Sequence, residues 1–270
     1  MLGGGQDFVV SSSENVFTYS GDARWHFLPD NMLYARIAEG FVPGGPNDVT
    51  PTDPNISHTY QASTTLNYEL GLKSALLNDH LTAEISVYWH KIQLEASIGG
   101  LRSFTNGGTA QSKGVEWNFV YAPLAGLNLG FNGAYTDAYL TAPTPSSLNG
   151  QIGDRLPSSP LWETSTSASY ERPLFSNYPG FVGFNWRFNA SRYGDFENIG
   201  PRQKMPGFDI FDLRAGLKTD NWTVALYVKN IGNALAISYV RDETLADGLG
   251  AQSGAVYTPR TIGITLSANL

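Results

Sequence analysis

Cysteine is absent from all 270 residues, which removes disulfide frameworks and cysteine-ligated metal sites and leaves the compartment open. Long apolar runs are missing as well. Nothing approaches the roughly 20 consecutive apolar residues of a membrane helix, so helical spanning is excluded. Basic residues are few: Lys and Arg number 17 against 24 Asp and Glu, and the net charge of −7 argues against nucleic acid as a partner. The four histidines, His26, His58, His80 and His90, are dispersed without metal-ligand spacing, so no metal site is expected. No nucleophile elbow and no glycine-rich strand-to-helix turn occurs, which leaves no enzymatic constellation and implies no cofactor. Met1 to Val10 carries no basic segment followed by an apolar one. An exported protein should have one, so the sequence either stays inside or is a piece whose beginning lies elsewhere.

What is present is alternation. In Thr261 to Leu270 the apolar Ile262, Ile264, Leu266, Ala268 and Leu270 interleave with Thr261, Gly263, Thr265, Ser267 and Asn269, the period of two expected of a strand with one apolar face. The same reading gives about eleven strands, beginning with Glu14 to Phe27 and including Leu33 to Phe41, Gln61 to Leu77, Leu161 to Arg172 and Trp222 to Lys229. Between them lie the loops Val42 to Tyr60, Gly99 to Gly108, Tyr139 to Pro160, Tyr193 to Pro206 and Ala234 to Tyr257. A mean hydropathy of −0.20 is compatible with spanning strands, because half of each is polar.

Two regularities point to a transmembrane β-barrel. Connections alternate short and long along the chain, as they do when short periplasmic turns and long extracellular loops occupy opposite rims. The mid-strand charges Asp22, Arg24, Arg36, Glu69, Lys73, Glu84, Glu116, Arg187, Asp212, Arg214 and Lys229 all fall on the polar face. A charge on the lipid face costs about 2–4 kcal/mol near the midplane, so this exclusion is what a lumen-facing set requires. Only residues near strand ends, such as Glu39, Lys91 and Asp209, are charged on the apolar face. Trp25, Phe27, Trp89, Trp117, Trp162 and Trp222 would make interfacial girdles. A soluble β-sandwich, which would bury the apolar face, remains the other reading of alternation.

The stretches Leu33 to Gly45, Tyr68 to Ser74, Ser112 to Glu116, Gly153 to Pro157 and Trp222 to Asn233, with the closing strand, make the chain resemble the C-terminal part of a TonB-dependent outer-membrane receptor. The resemblance implies an all-β antiparallel barrel of about 22 strands around a plug, of which residues 1–270 would be the C-terminal half, an open curved sheet when taken alone. It implies uptake of a scarce ligand, most often a ferric siderophore, energised by the TonB complex through an N-terminal region that this sequence lacks. The implied location is the outer membrane of a Gram-negative bacterium, among lipid and lipopolysaccharide. The family usually ends in phenylalanine, read by the barrel assembly machinery, where this chain has Leu270. A passive porin or adhesin barrel is the alternative.

Arg102, Arg155, Arg192, Arg202 and Arg241, with Tyr139, Tyr193 and Tyr239, are the candidates for gripping an anionic aromatic chelate by charge pairing and stacking. The lumen-facing charges Glu69, Lys73, Glu84, Glu116, Arg187, Asp212, Arg214 and Lys229 are expected to pair across the wall or to meet a plug. The first and last strands are expected as unpaired sheet edges.

Overall fold

The computed structural model describes residues 11–47, 57–98, 103–146, 148–175, 178–196, 203–244 and 250–268, and every regular element among them is a strand. Eleven strands make one sheet: β1 (Ser20–Leu28), β2 (Asn31–Val42), β3 (Ser63–Leu76), β4 (Leu81–Ile98), β5 (Ser103–Leu124), β6 (Leu127–Leu140), β7 (Trp162–Phe175), β8 (Tyr178–Asn189), β9 (Phe208–Lys218), β10 (Trp222–Lys229) and β11 (Thr261–Ala268). Spatial order repeats chain order and every neighbouring pair is antiparallel. As expected, β1 and β11 are the two edges.

The turns at one rim are tight because their residues accept unusual backbone angles. Leu77, Asn78 and Asp79 between β3 and β4 all have positive φ, and Gly126 between β5 and β6 sits at +85°. At the other rim the connections are long and carry small ladders: Gly45–Pro46 on Thr59–Tyr60, Arg192–Tyr193 on Lys204–Met205, and Ile237–Thr244 on Gly250–Val256.

Several boundaries differ from the sequence reading. The expected first strand from Glu14 begins only at Ser20. Glu14 instead accepts the amides of Ala62 (2.7 Å) and Gly44 (3.2 Å), closing the base of the loop after β2. The expected loop Gly99 to Gly108 is largely ladder, since β4 and β5 stay paired out to Ile98 and Ser103. Outside a membrane both faces of a hairpin are wet, so alternation vanishes there while pairing continues.

The register sorts the faces. Ala35, Leu70, Val87, Val115, Tyr135 and Trp162 form one row across six strands, and Arg36, Glu69, Tyr88, Gly114 and Thr136 form a row on the opposite side. Leu70 and Val87, in mid-sheet, remain 48% and 47% exposed with no protein against them. A sandwich would bury both, so this apolar face has lipid as its partner. Aromatics border it near the turns, as in the Trp25–Phe27 and Tyr178–Trp222 pairs. A second belt lies toward the loops, with Tyr68 stacked on Trp89 at 5.6 Å and Tyr135 against Trp162 at 4.7 Å.

On the inner face, tyrosine rings lie flat over glycines of the neighbouring strand. The Tyr34 ring covers Gly71 and the Tyr227 ring covers Gly263, each occupying the space a Cβ would take. Cross-strand aromatics of this kind restore the packing that a strand glycine forfeits.

Buried apolar side chains gather where loops fold back over the inner face. Phe196 packs with Ala110 and Leu140, flanked by Ile92, Leu94 and Leu156; Ala236 packs with Phe208 and Ile210. Phe208 and Ile210 share the inner face with Asp212 and Arg214. They are apolar there because the loop after β10 covers them.

Candidate functional site

The inner face is a polar wall. Toward β2 to β6, Tyr34 donates to Glu69 (2.5 Å) and Lys73 meets Glu84 (3.1 Å). With Ser86, Glu116, Asn118 and Asn132 they line a cavity of ≈ 400 Å³. Lys73 and Glu84 retain 46% and 41% side-chain exposure, so their pairing contributes under about 1 kcal/mol. Toward β8 to β10, Arg187 meets Asp212 (3.1 Å) and lies over the Tyr257 ring (5.6 Å), while Arg214 lies over Phe181 and Lys229 over Tyr227. Among the described residues, ion pairs link neighbouring strands of this wall at Lys73–Glu84 and at Arg187–Asp212, one on each side of β7.

Above this wall the loops turn inward, and two side chains hold them. Asn230 is 2% exposed and has φ +50°, at the point where β10 hands over to its loop. Its Nδ2 donates to the carbonyls of Ala234 (3.0 Å) and Thr258 (3.2 Å), its Oδ1 accepts the Ala234 amide (2.9 Å), and its own amide donates to Asp212 (2.9 Å). Both ends of the loop are thus fastened to one side chain. Asparagine suits the position because it tolerates the left-handed region and offers both donors and an acceptor. Arg192 is the second fastener. It donates to Asn189 Oδ1 (2.8 Å) and to the carbonyls of Ser238 (2.8 Å) and Ile237 (3.1 Å), joining the loop after β8 to the loop after β10.

The candidate ligand residues whose side chains the structure describes do not converge on one point. Arg192 is 7% exposed and its guanidinium is occupied by those acceptors. Tyr139 and Arg155 share the outward face with Asp137, which Arg155 meets at 3.5 Å, so they do not join the lumenal group. Tyr193 belongs to the short ladder after β8, and Tyr239, 46% exposed, to the ladder after β10. Arg241 lies on that same ladder, its side chain outside the described set, and Arg102 and Arg202 lie outside the described residues.

Sequence reasoning passed over Tyr257 and Phe196 because each is a lone aromatic in a polar stretch, with no period to mark it. Asn230 was visible only as part of the Trp222 to Asn233 stretch.

An eleven-stranded meander with a lipid face, a charged lumen face and loops turned inward agrees with the family profile "TonB dependent receptor-like, beta-barrel", which matches residues 2–231. The chain belongs to the TonB-dependent receptor family. That family is one of transport receptors in the outer membrane of Gram-negative bacteria, and the chain is an outer-membrane protein.

Among curated relatives, the pesticin receptor of Yersinia enterocolitica is 32% identical over 104 residues, which is 36% of this chain and 15% of that protein. The solved ferric yersiniabactin uptake receptor FyuA from Yersinia pestis superposes with a TM-score of 0.75 at 20% identity, covering 92% of this chain and 36% of that one. The ferric-catecholate import receptor Fiu from E. coli K12 gives 0.69 at 16% identity, covering 92% and 34%. The ferric preacinetobactin receptor BauA from Acinetobacter baumannii gives 0.68 at 19%, covering 92% and 36%. These structural likenesses concern the fold of a TonB-dependent barrel. The chain spans 15% of that curated relative and about a third of these solved receptors.

Proposed function

We infer that residues 1–270 form the C-terminal half of the barrel in a receptor that imports a ferric siderophore with energy delivered through TonB. The observation that carries this reading is the inward fold of the loops, with Phe196 and Ala236 seated on the lumenal face above a charged wall. Loops that narrow the mouth and carry aromatic and cationic side chains suit a capture surface. Neighbours of the same fold include receptors for ferric yersiniabactin, ferric catecholates and ferric preacinetobactin, which supports iron chelates as the cargo class.

Tyr193 and Tyr239, with Arg241, Arg102 and Arg202, would supply stacking and positive charge to an anionic aromatic chelate. The lumenal charges would face a plug supplied by the rest of the receptor. Weak, half-exposed pairs such as Lys73–Glu84 suit a surface that exchanges partners when a plug moves, because each swap of partner changes the free energy little. The chain performs no bond chemistry in this reading. It is a wall and a mouth.

The test is uptake of radiolabelled ferric chelates by cells carrying the complete reading frame that contains this chain, in TonB-positive and TonB-negative backgrounds. Uptake lost without TonB supports the reading. Uptake that persists without TonB, or permeation by small unrelated solutes, would replace it with the passive-barrel alternative.

A further inference from the structure

An apolar patch interrupts the polar lumenal face near the loop rim. Pairing sets Ile92 opposite Ala110 and Ala110 opposite Leu140, so the three occupy one row across β4, β5 and β6. The next row toward the turns is Asn67, His90, Ser112 and Ala138, and the one after it holds Glu69, Tyr88, Gly114 and Thr136. Leu94 and Leu156 complete the patch. In a wet lumen five clustered apolar side chains are unfavourable unless something covers them.

The cover is Phe196 of the loop after β8, 8% exposed, against Ala110 at 2% and Leu140 at 0%. The patch has the form of a slot. Strands lie about 4.8 Å apart, so Ile92 and Leu140 stand about 10 Å from each other at the backbone, with only the methyl group of Ala110 between them. One aromatic ring suits that width. Phe196 reaches the slot from a loop whose base is held elsewhere: Arg192, four residues earlier, bonds Asn189, Ile237 and Ser238, and Gly194 lies between. The ring can therefore leave by a local backbone rotation while the two loops stay fastened.

We propose that this slot is a site for one phenolic ring of the cargo, and that Phe196 occupies it in the cargo's absence as a competitor to be displaced. A phenol matches on two counts. Its ring buries about the same apolar area as that of phenylalanine, so the exchange is nearly balanced. Its hydroxyl meets the polar row below, where Asn67 Oδ1 is buried and accepts no hydrogen bond among the described residues. An aliphatic chelate offers neither. Departure of Phe196 carries its segment off the lumenal face, so capture of the ring and widening of the mouth are one event. The identity of the cargo rests on the import function proposed above, whereas the slot and its competitor belong to the chain itself and can be probed without uptake.

The experiment uses the product of the complete reading frame, purified in detergent, with para-fluorophenol as the probe and fluorine NMR as the readout. Phe196→Ala removes the competitor and should tighten probe binding about 10- to 100-fold, the factor by which burial of a phenylalanine side chain favours the docked state. Adding Ala110→Leu to that variant fills the slot and should abolish the gain. In the unsubstituted protein, saturating probe should speed chymotrypsin cleavage after Phe196 by about tenfold or more, because cleavage follows the undocked population, with cleavage after Tyr239 unchanged. Equal probe affinity with and without Phe196→Ala, at preserved strand content by circular dichroism, would overturn the proposal. A gain that survives Ala110→Leu would place the probe elsewhere and overturn it too. Unchanged cleavage after Phe196 would do the same, a result that needs no variant to fold.

Discussion

Replacing Asn230 isolates two contributions to how the loop after β10 is held. The side chain makes three hydrogen bonds, to the Ala234 carbonyl, the Ala234 amide and the Thr258 carbonyl. At about 1 kcal/mol net each, their loss amounts to about 3 kcal/mol, and burial leaves little water to replace them. The backbone at φ +50° adds a second, separable contribution. Glycine adopts that angle freely, while alanine is strained there by about 1 kcal/mol. Asn230→Gly should therefore destabilise the loop anchorage by about 3 kcal/mol and Asn230→Ala by about 4. Hydrogen exchange at the Tyr257 amide, which bonds the Ala236 carbonyl at 2.9 Å, reads the anchorage directly. At about 1.4 kcal/mol per factor of ten, protection should fall about 100-fold for glycine and nearly 1000-fold for alanine. Wall amides such as those of β4 and β5 should keep their protection. A loss under tenfold in both variants would refute the hydrogen-bond argument, and equal losses in the two would refute the backbone one.

The face assignment is tested by a pair of adjacent substitutions: Val87→Arg should cost about 2–4 kcal/mol of folding free energy in lipid, while Ser86→Arg, beside Glu116, should be nearly neutral by urea unfolding in bilayers. Replacing Arg192 by Ala should cost about 3 kcal/mol of loop anchorage and speed limited proteolysis within residues 237–256; Lys should rescue poorly, because an ammonium lacks the guanidinium's planar spread of donors. Gly71→Val should cost about 1–3 kcal/mol by colliding with the Tyr34 ring, and a second change, Tyr34→Ala, should recover part of that loss in thermal unfolding.

The wall was legible in the sequence because two solvents act on it. Lipid on one side and water on the other impose a period of two, and the mid-strand charges such as Glu69, Glu84, Glu116, Arg187 and Asp212 obey it without needing any partner to be known. Where both faces meet water the signal ends, which is why β5 already begins at Ser103, inside the expected Gly99 to Gly108 loop, with β4 paired to it out to Ile98. The inward packing of the loops had no sequence signature at all. Phe196, Ala236 and Tyr257 are single residues whose partners lie far away along the chain, and only the closed loops bring them together. Arg155 and Tyr139 show the same limit from the other side: as residue types they suit a chelate, but one position of register turned them outward. Arg192 looked like a free cation and proved to be a fastener.

The tyrosines that lie flat over Gly71 and Gly263 set a dimension of the passage. A ring lying along the wall adds only its own thickness, so free bore extends almost to the backbone on those strands. A methyl group at either glycine would tip its ring upright and extend an aromatic side chain into the passage. The clearance open to a sliding plug or a bulky chelate is then governed by where glycines sit, and two receptors with equal strand number and equal lumenal charge can differ in what they let pass.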